Sequence, residues 1–472
     1  MDLNAIRSVY FLGIGGIGMS ALARFFALRG ARVAGYDRSS SPLTDQLIAE
    51  GMQISFDEHV AAIPKQVDLV VYTPAVPPDH KAFAHFEKKG IPVIKRAAVL
   101  GDLSRQFKTI AVAGTHGKTT TSTMITHILH AAKIDHLSFL GGISKNYGSN
   151  LLYTKAAVAP QTTTPGKTPG QSFHQPVYCV VEADEYDRSF LQLDPYIAII
   201  TSADADHLDI YGNHEDLKKT FAEFTGKIIR DGSLVMKAGT AVEPVRNNVF
   251  YEYSYALNSE ATFFARNIRL RDELLHFDYV TPTETISNLT LGVPGMFNLE
   301  NAVAALAVGY LLGVDKAHLI KALRSYQGVQ RRFDFRIRRK DLVYIDDYAH
   351  HPEELRACIT AARDLYPGKK LTGIFQPHLF SRTRDLADDF AKSLSLLDAL
   401  ILLDIYPARE KPIKGVTSKL LLDKVTLKDK QLLPRDMIAG ELLKNKPEVL
   451  LTLGAGDIDQ LVKPITDTLS GE

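Results

Sequence analysis

The stretch Val112-Ala113-Gly114-Thr115-His116-Gly117-Lys118-Thr119-Thr120-Thr121 constrains this chain more than any other. A short apolar run, Thr109 to Ala113, leads into it, and helical spacing follows from about Lys118. A glycine-rich turn between a strand and a helix leaves several backbone N–H groups pointing at one spot, with a helix N-terminus behind them. Such a concavity holds phosphate, and a lysine there adds a point charge. Thr119, directly after Lys118, places a hydroxyl where it can ligate a phosphate-bound Mg²⁺. The first glycine of the general P-loop pattern is replaced by Val112, so Gly-x-x-Gly-Lys-Thr is what remains. A polar turn without a ligand is the plain alternative. The strand and helix on either side favour an ATP site made by Gly114, Thr115, His116, Gly117, Lys118, Thr119 and Thr120.

A chain of 472 residues is too long for one ordinary core, and the usual domain size suggests about three domains. With 45% hydrophobic and 23% charged residues it reads as globular. A formal net charge of +1 argues against a dedicated nucleic-acid or membrane-surface protein. The two cysteines, Cys179 and Cys358, lie far apart in apolar stretches and read as buried, reduced thiols, which points to the cytoplasm. The apolar run from Val9 to Ala23 is Gly-rich and shorter than the roughly twenty residues of a membrane span.

In residues 1–106, Ser8 to Leu12 reads as a strand followed at once by Gly13-Ile14-Gly15-Gly16-Ile17-Gly18. An apolar helix runs from Met19 through Leu28, and a second strand, Arg32 to Tyr36, ends at Asp37. This is the dinucleotide fingerprint in its expected context. On its own it suggests an NAD-dependent oxidoreductase, but glycines let a backbone approach any pyrophosphate, and a UDP-sugar carries one too. Asp68 to Tyr72 is a further strand, leading into the turn Thr73 to Pro78. A Rossmann-like unit without a nucleotide is the alternative.

In residues 107–329, the strand His136 to Leu140 ends in Gly141-Gly142. Residues 155–176, rich in Thr, Pro, Gly and Gln, read as a mobile surface insertion. Val177 to Val181 ends in Glu182-Ala183-Asp184-Glu185, and Tyr196 to Ile200 leads through Thr201 and Ser202 to Asp206-His207-Leu208-Asp209. Ligands of an open parallel sheet bind outside the carboxyl ends of its strands, so both clusters fall on the P-loop edge, where carboxylates commonly hold Mg²⁺. Taken singly, the acid runs read as solvated loops and His207 as structural; the shared edge favours function. A helix from Leu299 to Leu312 begins at Pro294-Gly295-Met296-Phe297-Asn298. Asn298 is either its N-cap or, with Asn301, one of two amides on a nucleotide base.

Residues 330–472 open at Gln330-Arg331-Arg332-Phe333, and the basic stretch Arg336 to Lys340, closed by Asp341, reads as a solvated strand edge. Then strands and helices alternate. Val343 to Ile345 leads to Asp346-Asp347-Tyr348-Ala349-His350-His351-Pro352, and Leu371 to Phe375 to Gln376-Pro377-His378. Ala399 to Leu403 leads to Asp404 through Glu410, and Val449 to Leu453 to Gly454-Ala455-Gly456-Asp457. This is an open α/β sheet with no nucleotide loop of its own, suited to a small charged substrate. The whole is an α/β chain of three consecutive domains: Rossmann-like (1–106), P-loop ATP-binding (107–329) and Rossmann-like (330–472).

ATP with two further substrates suggests a ligase. A carboxylate resists attack by an amine because its leaving group would be oxide; moving the γ-phosphoryl onto it makes an acyl phosphate, and the amine then forms an amide. Here the chain resembles the Mur ligases. The resemblance is carried by Gly114-Thr115-His116-Gly117-Lys118-Thr119-Thr120, Glu182-Ala183-Asp184-Glu185, Asp206-His207-Leu208-Asp209, Asn298-x-x-Asn301-Ala302, Arg331-Arg332-Phe333 and Asp346-Asp347-Tyr348-x-His350-His351-Pro352, in order over nearly the whole chain. It implies the following roles. Lys118 and the loop amides hold the β/γ-phosphates. Thr119 and Glu182 bind one Mg²⁺ and His207 a second. Asn298 and Asn301 contact the adenine side of ATP, and Arg332 and Asp347 contact nucleotide. Gly15, Gly16 and Ile17 cradle the UDP diphosphate, with Asp37 and Thr73 in the same site. Tyr348, His378 and Arg382 surround the amino acid. The catalytic set is thus Lys118, Glu182, His207, Arg332 and Asp347.

Within the family, the front glycine loop and Gln376-Pro377-His378 resemble the members that join L-alanine to the lactyl carboxylate of UDP-N-acetylmuramate in peptidoglycan precursor synthesis, a step serving cell-wall biogenesis, cell shape and division. The expected partners are those small molecules, with no nucleic acid or membrane, and the chain is expected to act as a monomer or homodimer in the cytoplasm. Many members carry an arginine where this chain has Leu379, so Arg384 or Arg409 is expected to compensate. The alternatives are a recycling ligase that adds the tripeptide L-Ala-D-Glu-diaminopimelate to the same UDP-sugar and, from another class, the NAD-dependent oxidoreductase.

Overall fold

The computed structural model describes residues 3, 5–158, 176–205, 208–408 and 410–471, without the side chains of 208 and 209. Three sheets follow one another along the chain. The first holds β1 (Ser8–Leu12), β2 (Arg32–Tyr36), β3 (Gln53–Ser55), β4 (Leu69–Tyr72) and β5 (Val93–Lys95) in the order 3-2-1-4-5. All four of its strand pairings are parallel. Every residue of β1 is buried, because helices cover both faces of such a sheet and its strands read as unbroken apolar runs.

The second sheet is built on β6 (Lys108–Ala113), β7 (His136–Ser144), β8 (Ser149–Tyr153), β9 (Tyr178–Glu182), β10 (Ile197–Ile200) and β11 (Gly232–Lys237). It extends through β12 (Phe250–Leu257), β13 (Phe263–Arg271), β14 (Leu274–Val280) and β15 (Thr285–Leu291), in the order 15-14-13-12-11-10-6-9-7-8. β6 runs parallel to both neighbours, β9 and β10, so its carboxyl end opens between theirs. The third sheet holds β16 (Asp334–Arg338), β17 (Val343–Asp347), β18 (Leu371–Phe375), β19 (Ala399–Leu402), β20 (Lys430–Leu432) and β21 (Val449–Leu453) in the order 16-17-21-18-19-20. β16 lies at one edge of this sheet and runs antiparallel to β17, and it carries the first residues of the basic run from Arg336.

The chain divides into two compact units. One comprises Met1–Arg269, His276–Gly292 and Glu300–Gln327; the other comprises Leu270–Leu275, Val293–Leu299 and Gly328–Glu472. The first two sheets share the first unit's hydrophobic core, where Phe25 packs edge-on against Phe139 at 5.8 Å between ring centres. A polar knot lies beside it. Arg24 Nη1 donates to Asn150 Oδ1 at 2.5 Å, while Asn150 Nδ2 donates to the Ile17 carbonyl at 2.6 Å and to Ser20 Oγ at 2.8 Å.

Three local expectations are corrected. β7 does not stop at Gly141-Gly142 but continues to Ser144. The later helix begins at Met296, so Asn298 lies inside it and is not its N-cap; its Nδ2 donates to the Pro294 carbonyl at 2.6 Å instead. Of the proposed insertion 155–176, residues Lys155–Val158 form a short helix and 159–175 lie outside the described residues. No helix among the described residues is long and apolar enough to cross a membrane.

Candidate active site

The loop after β6 is shaped by two glycines that no other residue could replace without displacement. Gly114 has φ +133°, and a Cβ there would stand 2.0 Å from Thr201 Oγ1; Gly117 has φ +82°, and its Cβ would stand 2.4 Å from Asn301 Oδ1. The helix Lys118–Ala131 therefore starts from a left-handed residue with no side-chain cap, which leaves its first amides directed at the loop's concavity. The strand end after β10 braces the loop. Thr115 Oγ1 lies 2.8 Å from Ser202 Oγ, the His116 amide donates to Ser202 Oγ at 3.0 Å, and the Asp204 amide donates to Thr115 Oγ1 at 3.1 Å. His116 Nε2 is 3.7 Å from the Asp204 carboxylate.

Lys118 Nζ donates to the Gly114 carbonyl at 2.6 Å and lies 2.9 and 2.8 Å from the two carboxylate oxygens of Glu185. Burial opposes its charge, but Glu185, with Asp184 and Glu182, outweighs that and raises its pKa. The Glu182 carboxylate, at the end of β9, accepts from the Gly141 amide at 2.7 Å and from Ser122 Oγ at 3.4 Å. Ser122 in turn donates to the Thr119 carbonyl, so Glu182 stands beside the first turn of the loop helix.

The donor chemistry around Thr119 and Glu182 is all hard oxygen, which suits Mg²⁺: this ion keeps several waters and takes one or two carboxylates together with phosphate oxygens. Among the described residues no group of three or more His, Cys, Asp or Glu is arranged to hold a metal. His207, expected as a second ligand, lies outside the described residues, as does Arg409.

At the front loop, Gly13 has φ +84°, and a Cβ there would stand 2.7 Å from the Thr73 methyl, so Thr73 at the end of β4 flanks the turn. The Gly15 amide donates to Asp37 Oδ2 at 2.7 Å and the Arg38 amide to Asp37 Oδ1 at 2.8 Å. Gly16 is the uncapped N-cap of the helix Ile17–Leu28. The five residues expected to bind the UDP-sugar are thus brought to one edge. A Cβ on Gly18 would stand 2.4 Å from Arg96 Nη1, and Arg96 Nη2 is 3.5 Å from Asp184. No motif had marked Arg96; its place directly after β5 is the signal that could have found it.

In the second unit, Arg331 and Phe333 take positive φ values of 60° and 49°, and the turn they make is fastened to the end of β17. Asp347 accepts from the Phe333 amide at 2.6 Å and from the Ala349 amide at 2.7 Å. Burial pushes the Asp347 carboxyl up to about 7, although Arg332 and those two amides pull it down. The Arg332 guanidinium lies 4.9 Å from the centre of the Tyr348 ring and Arg331 at 5.2 Å. A chain of rings continues from Tyr348 to His350 (5.3 Å), to His378 (5.9 Å) and to Tyr406 (5.7 Å, stacked). Arg382 is buried on the helix Phe380–Asp385. Leu379 is also buried, at φ +70°, whereas Arg384 pairs with its exposed neighbour Asp385 at 2.6 Å. Gln376 serves the loop after β21: its Nε2 donates to Asp457 at 2.8 Å and its Oε1 accepts from the Ile458 amide at 2.9 Å.

Two glycine turns without side-chain caps, one followed by a half-buried lysine, at the carboxyl edges of strands in successive sheets define an α/β protein with two nucleotide-type loops in series. Comparison with known proteins then narrows the class. The Mur ligase family catalytic domain pattern matches residues 8–108, the Mur ligase middle domain residues 112–309, and the Mur ligase glutamate ligase domain residues 331–456. The chain belongs to the Mur ligase family.

Among curated relatives, the UDP-N-acetylmuramate–L-alanine ligase of Parabacteroides distasonis is 48% identical over 99% of this chain and 98% of its own length. That of Porphyromonas gingivalis strain W83 is 46% identical over 98% and 99%. Among solved structures, the UDP-N-acetylmuramate–alanine ligase MurC of Thermotoga maritima superposes with a TM-score of 0.80 at 27% identity, covering 98% of this chain and 99% of that one. A murein peptide ligase of Psychrobacter arcticus shares the fold, with a TM-score of 0.72 at 24% identity over 99% of both chains.

Proposed function

We propose that this protein joins L-alanine to the lactyl carboxylate of UDP-N-acetylmuramate, converting ATP to ADP and phosphate through an acyl phosphate. The observation that carries the reading is the half-buried Lys118 in an uncapped glycine loop, on a chain whose full length aligns with alanine ligases at 42–48% identity. Neither the tripeptide-adding alternative nor the oxidoreductase explains both.

The roles are those that the family resemblance implies, and the loop and strand-end geometry supports them in part. The loop amides not already bonded to Ser202, those at the start of the helix above all, and the Lys118 ammonium bind the β- and γ-phosphates, and they stabilise charge where it develops as the phosphoryl group moves. Asn301, against Gly117, steadies the loop on the nucleotide, and Asn298 is assigned to nucleotide as well. Thr119 and Glu182 would hold one Mg²⁺ and His207 a second, and the ions would neutralise phosphate charge. Gly15, Gly16 and Ile17 cradle the UDP diphosphate, the glycines by letting the backbone come close, with Asp37 and Thr73 fixing the turn. Arg332, oriented by Tyr348 and Asp347, meets nucleotide charge. His378 and Tyr348 enclose the alanine, and Arg382 takes its carboxylate. We assign the three segments 1–106, 107–329 and 330–472 to UDP-sugar, ATP and amino acid respectively, in a cytoplasmic monomer or homodimer of the peptidoglycan pathway, linked through it to cell division.

The test is phosphate release from ATP and Mg²⁺ with UDP-N-acetylmuramate. Release that depends on L-alanine is expected. Release with L-Ala-D-Glu-diaminopimelate but not with L-alanine would overturn the alanine assignment and keep the chemistry.

A further inference from the structure

Glu185 is a carboxylate with 1% of its side chain exposed, tied through both oxygens to the Lys118 ammonium. An ammonium has three protons; with the Gly114 carbonyl of its own loop as third acceptor beside the two Glu185 oxygens, those of Lys118 all have partners. The backbone that carries Glu185 is held from several sides. The Tyr211 hydroxyl and the Arg188 amide, the latter at 2.9 Å, donate to the Glu185 carbonyl, and the Tyr186 amide donates to Asp184 Oδ1 at 3.1 Å. Asp187 and Arg188 take left-handed φ values of 56° and 54°, and Lys95 and Arg96 pair with Asp187 and Asp184. Glu185 is therefore the fixed partner and the long lysine stem the adjustable one.

We propose that Glu185 is the positioning residue of the phosphate-binding lysine: it aims and retains the Lys118 ammonium, and it shares or yields that ammonium when a triphosphate enters the loop. The proposal rests on the loop being the ATP site. Two consequences separate. The carboxylate's charge opposes an incoming polyanion and weakens ATP binding, whereas its geometry keeps the ammonium aligned for transfer. A residue that merely supported the fold would not move these two quantities in opposite senses.

The experiment is steady-state kinetics with ATP varied at saturating UDP-N-acetylmuramate and L-alanine. Glu185→Gln, which keeps size and removes charge, is expected to lower KM for ATP about threefold or more and to lower kcat about tenfold. Glu185→Asp, which keeps charge and shortens reach, is expected to leave that KM near wild type while kcat falls. Tyr211→Phe, which frees the Glu185 backbone, is expected to lower kcat by a smaller factor and carries the test if Glu185→Gln does not fold. Unchanged kcat in these variants, or a KM for ATP that rises in Glu185→Gln, overturns the proposal. Lys118→Ala is the control: if it stays active, the assignment of the loop to ATP has failed rather than the role of Glu185 alone.

Discussion

The two glycine loops solve the same geometric problem in different ways. Each follows a buried parallel strand, turns on a positive-φ glycine and opens a helix whose N-terminus has no side-chain cap. The front helix, Ile17–Leu28, has no cation in its first turn, its one arginine, Arg24, being bonded to Glu50 and Asn150; its loop is pinned by one carboxylate, Asp37, on the Gly15 amide. The middle helix starts Lys-Thr-Thr-Thr-Ser, and its loop is braced by hydroxyls of Thr201 and Ser202 and charged by a lysine inside a group of acids. A loop that only seats a diphosphate needs amides and space. One that serves phosphoryl transfer must also hold a charge still while charge moves past it. The difference between the loops is thus electrostatic, not topological.

The largest expected effect breaks the comparison at that lysine. Lys118→Ala should cut turnover by about a thousandfold or more, while UDP-sugar affinity, read by calorimetric titration, stays near wild type. Retained turnover would make the two loops equivalent.

Gly114→Ala comes next: a Cβ would sit 2.0 Å from Thr201 Oγ1 at a φ of +133°. A loss of about 2–4 kcal/mol in unfolding free energy, together with lost ATP binding, is expected from denaturant titration. Gly15→Ala, with its Cβ 2.7 Å from the Thr44 methyl and 2.9 Å from Asp37 Oδ2, should raise KM for UDP-N-acetylmuramate about tenfold and leave KM for ATP alone. A rise in both would show that the loops are coupled rather than separate.

Ser202→Ala removes the brace on Thr115 and the His116 amide. It should raise KM for ATP by about five- to tenfold, the worth of roughly one hydrogen bond.

The smallest effect concerns pH. The Asp347 carboxyl is raised to about 7 in the folded chain by burial, so between its ordinary range and pH 7 the folded state holds a proton that the unfolded state has released. Stability contributed by this group is present at low pH and lost as pH rises through that window. Tm should therefore fall less between pH 5 and pH 7 in Asp347→Asn than in wild type, even if the variant is less stable throughout because an amide cannot accept from both Phe333 and Ala349 N–H groups. Parallel slopes would mean that Arg332 keeps Asp347 ionised and outweighs burial.

Much of this architecture was legible in advance because parallel strands covered on both faces are written as short apolar runs. β1, β2, β18 and β21 fall where the alternation of apolar run and polar strand end placed them. Strand ends were legible for the same reason: Glu182 and Asp347 each close an apolar run and stand at the ligand edge. Helix starts were less so. Asn298 fits the composition of an N-cap, but the helix already begins at Met296, and no local signal weighs that start against one three residues later, at Leu299. The continuation of β7 through two glycines was illegible too, since it depends on pairing and on the Gly141 amide's bond to Glu182, a residue 41 positions away.

The amino-acid sequence by itself determined three things: the succession of α/β segments, the place of each glycine turn after a strand, and the residue types at each strand end. These are local properties, set by hydrophobic run length, backbone freedom at glycine and side-chain chemistry. Only the tertiary structure decided who partners whom. That Lys118 faces Glu185 rather than Glu182 or Asp184, that Asp37 is spent on Gly15, and that Arg96 sits at Gly18 and pairs with Asp184 are outcomes of strand order and packing. Buried charges accept a partner only at hydrogen-bonding distance, and distance in three dimensions is what a linear pattern of residues does not contain.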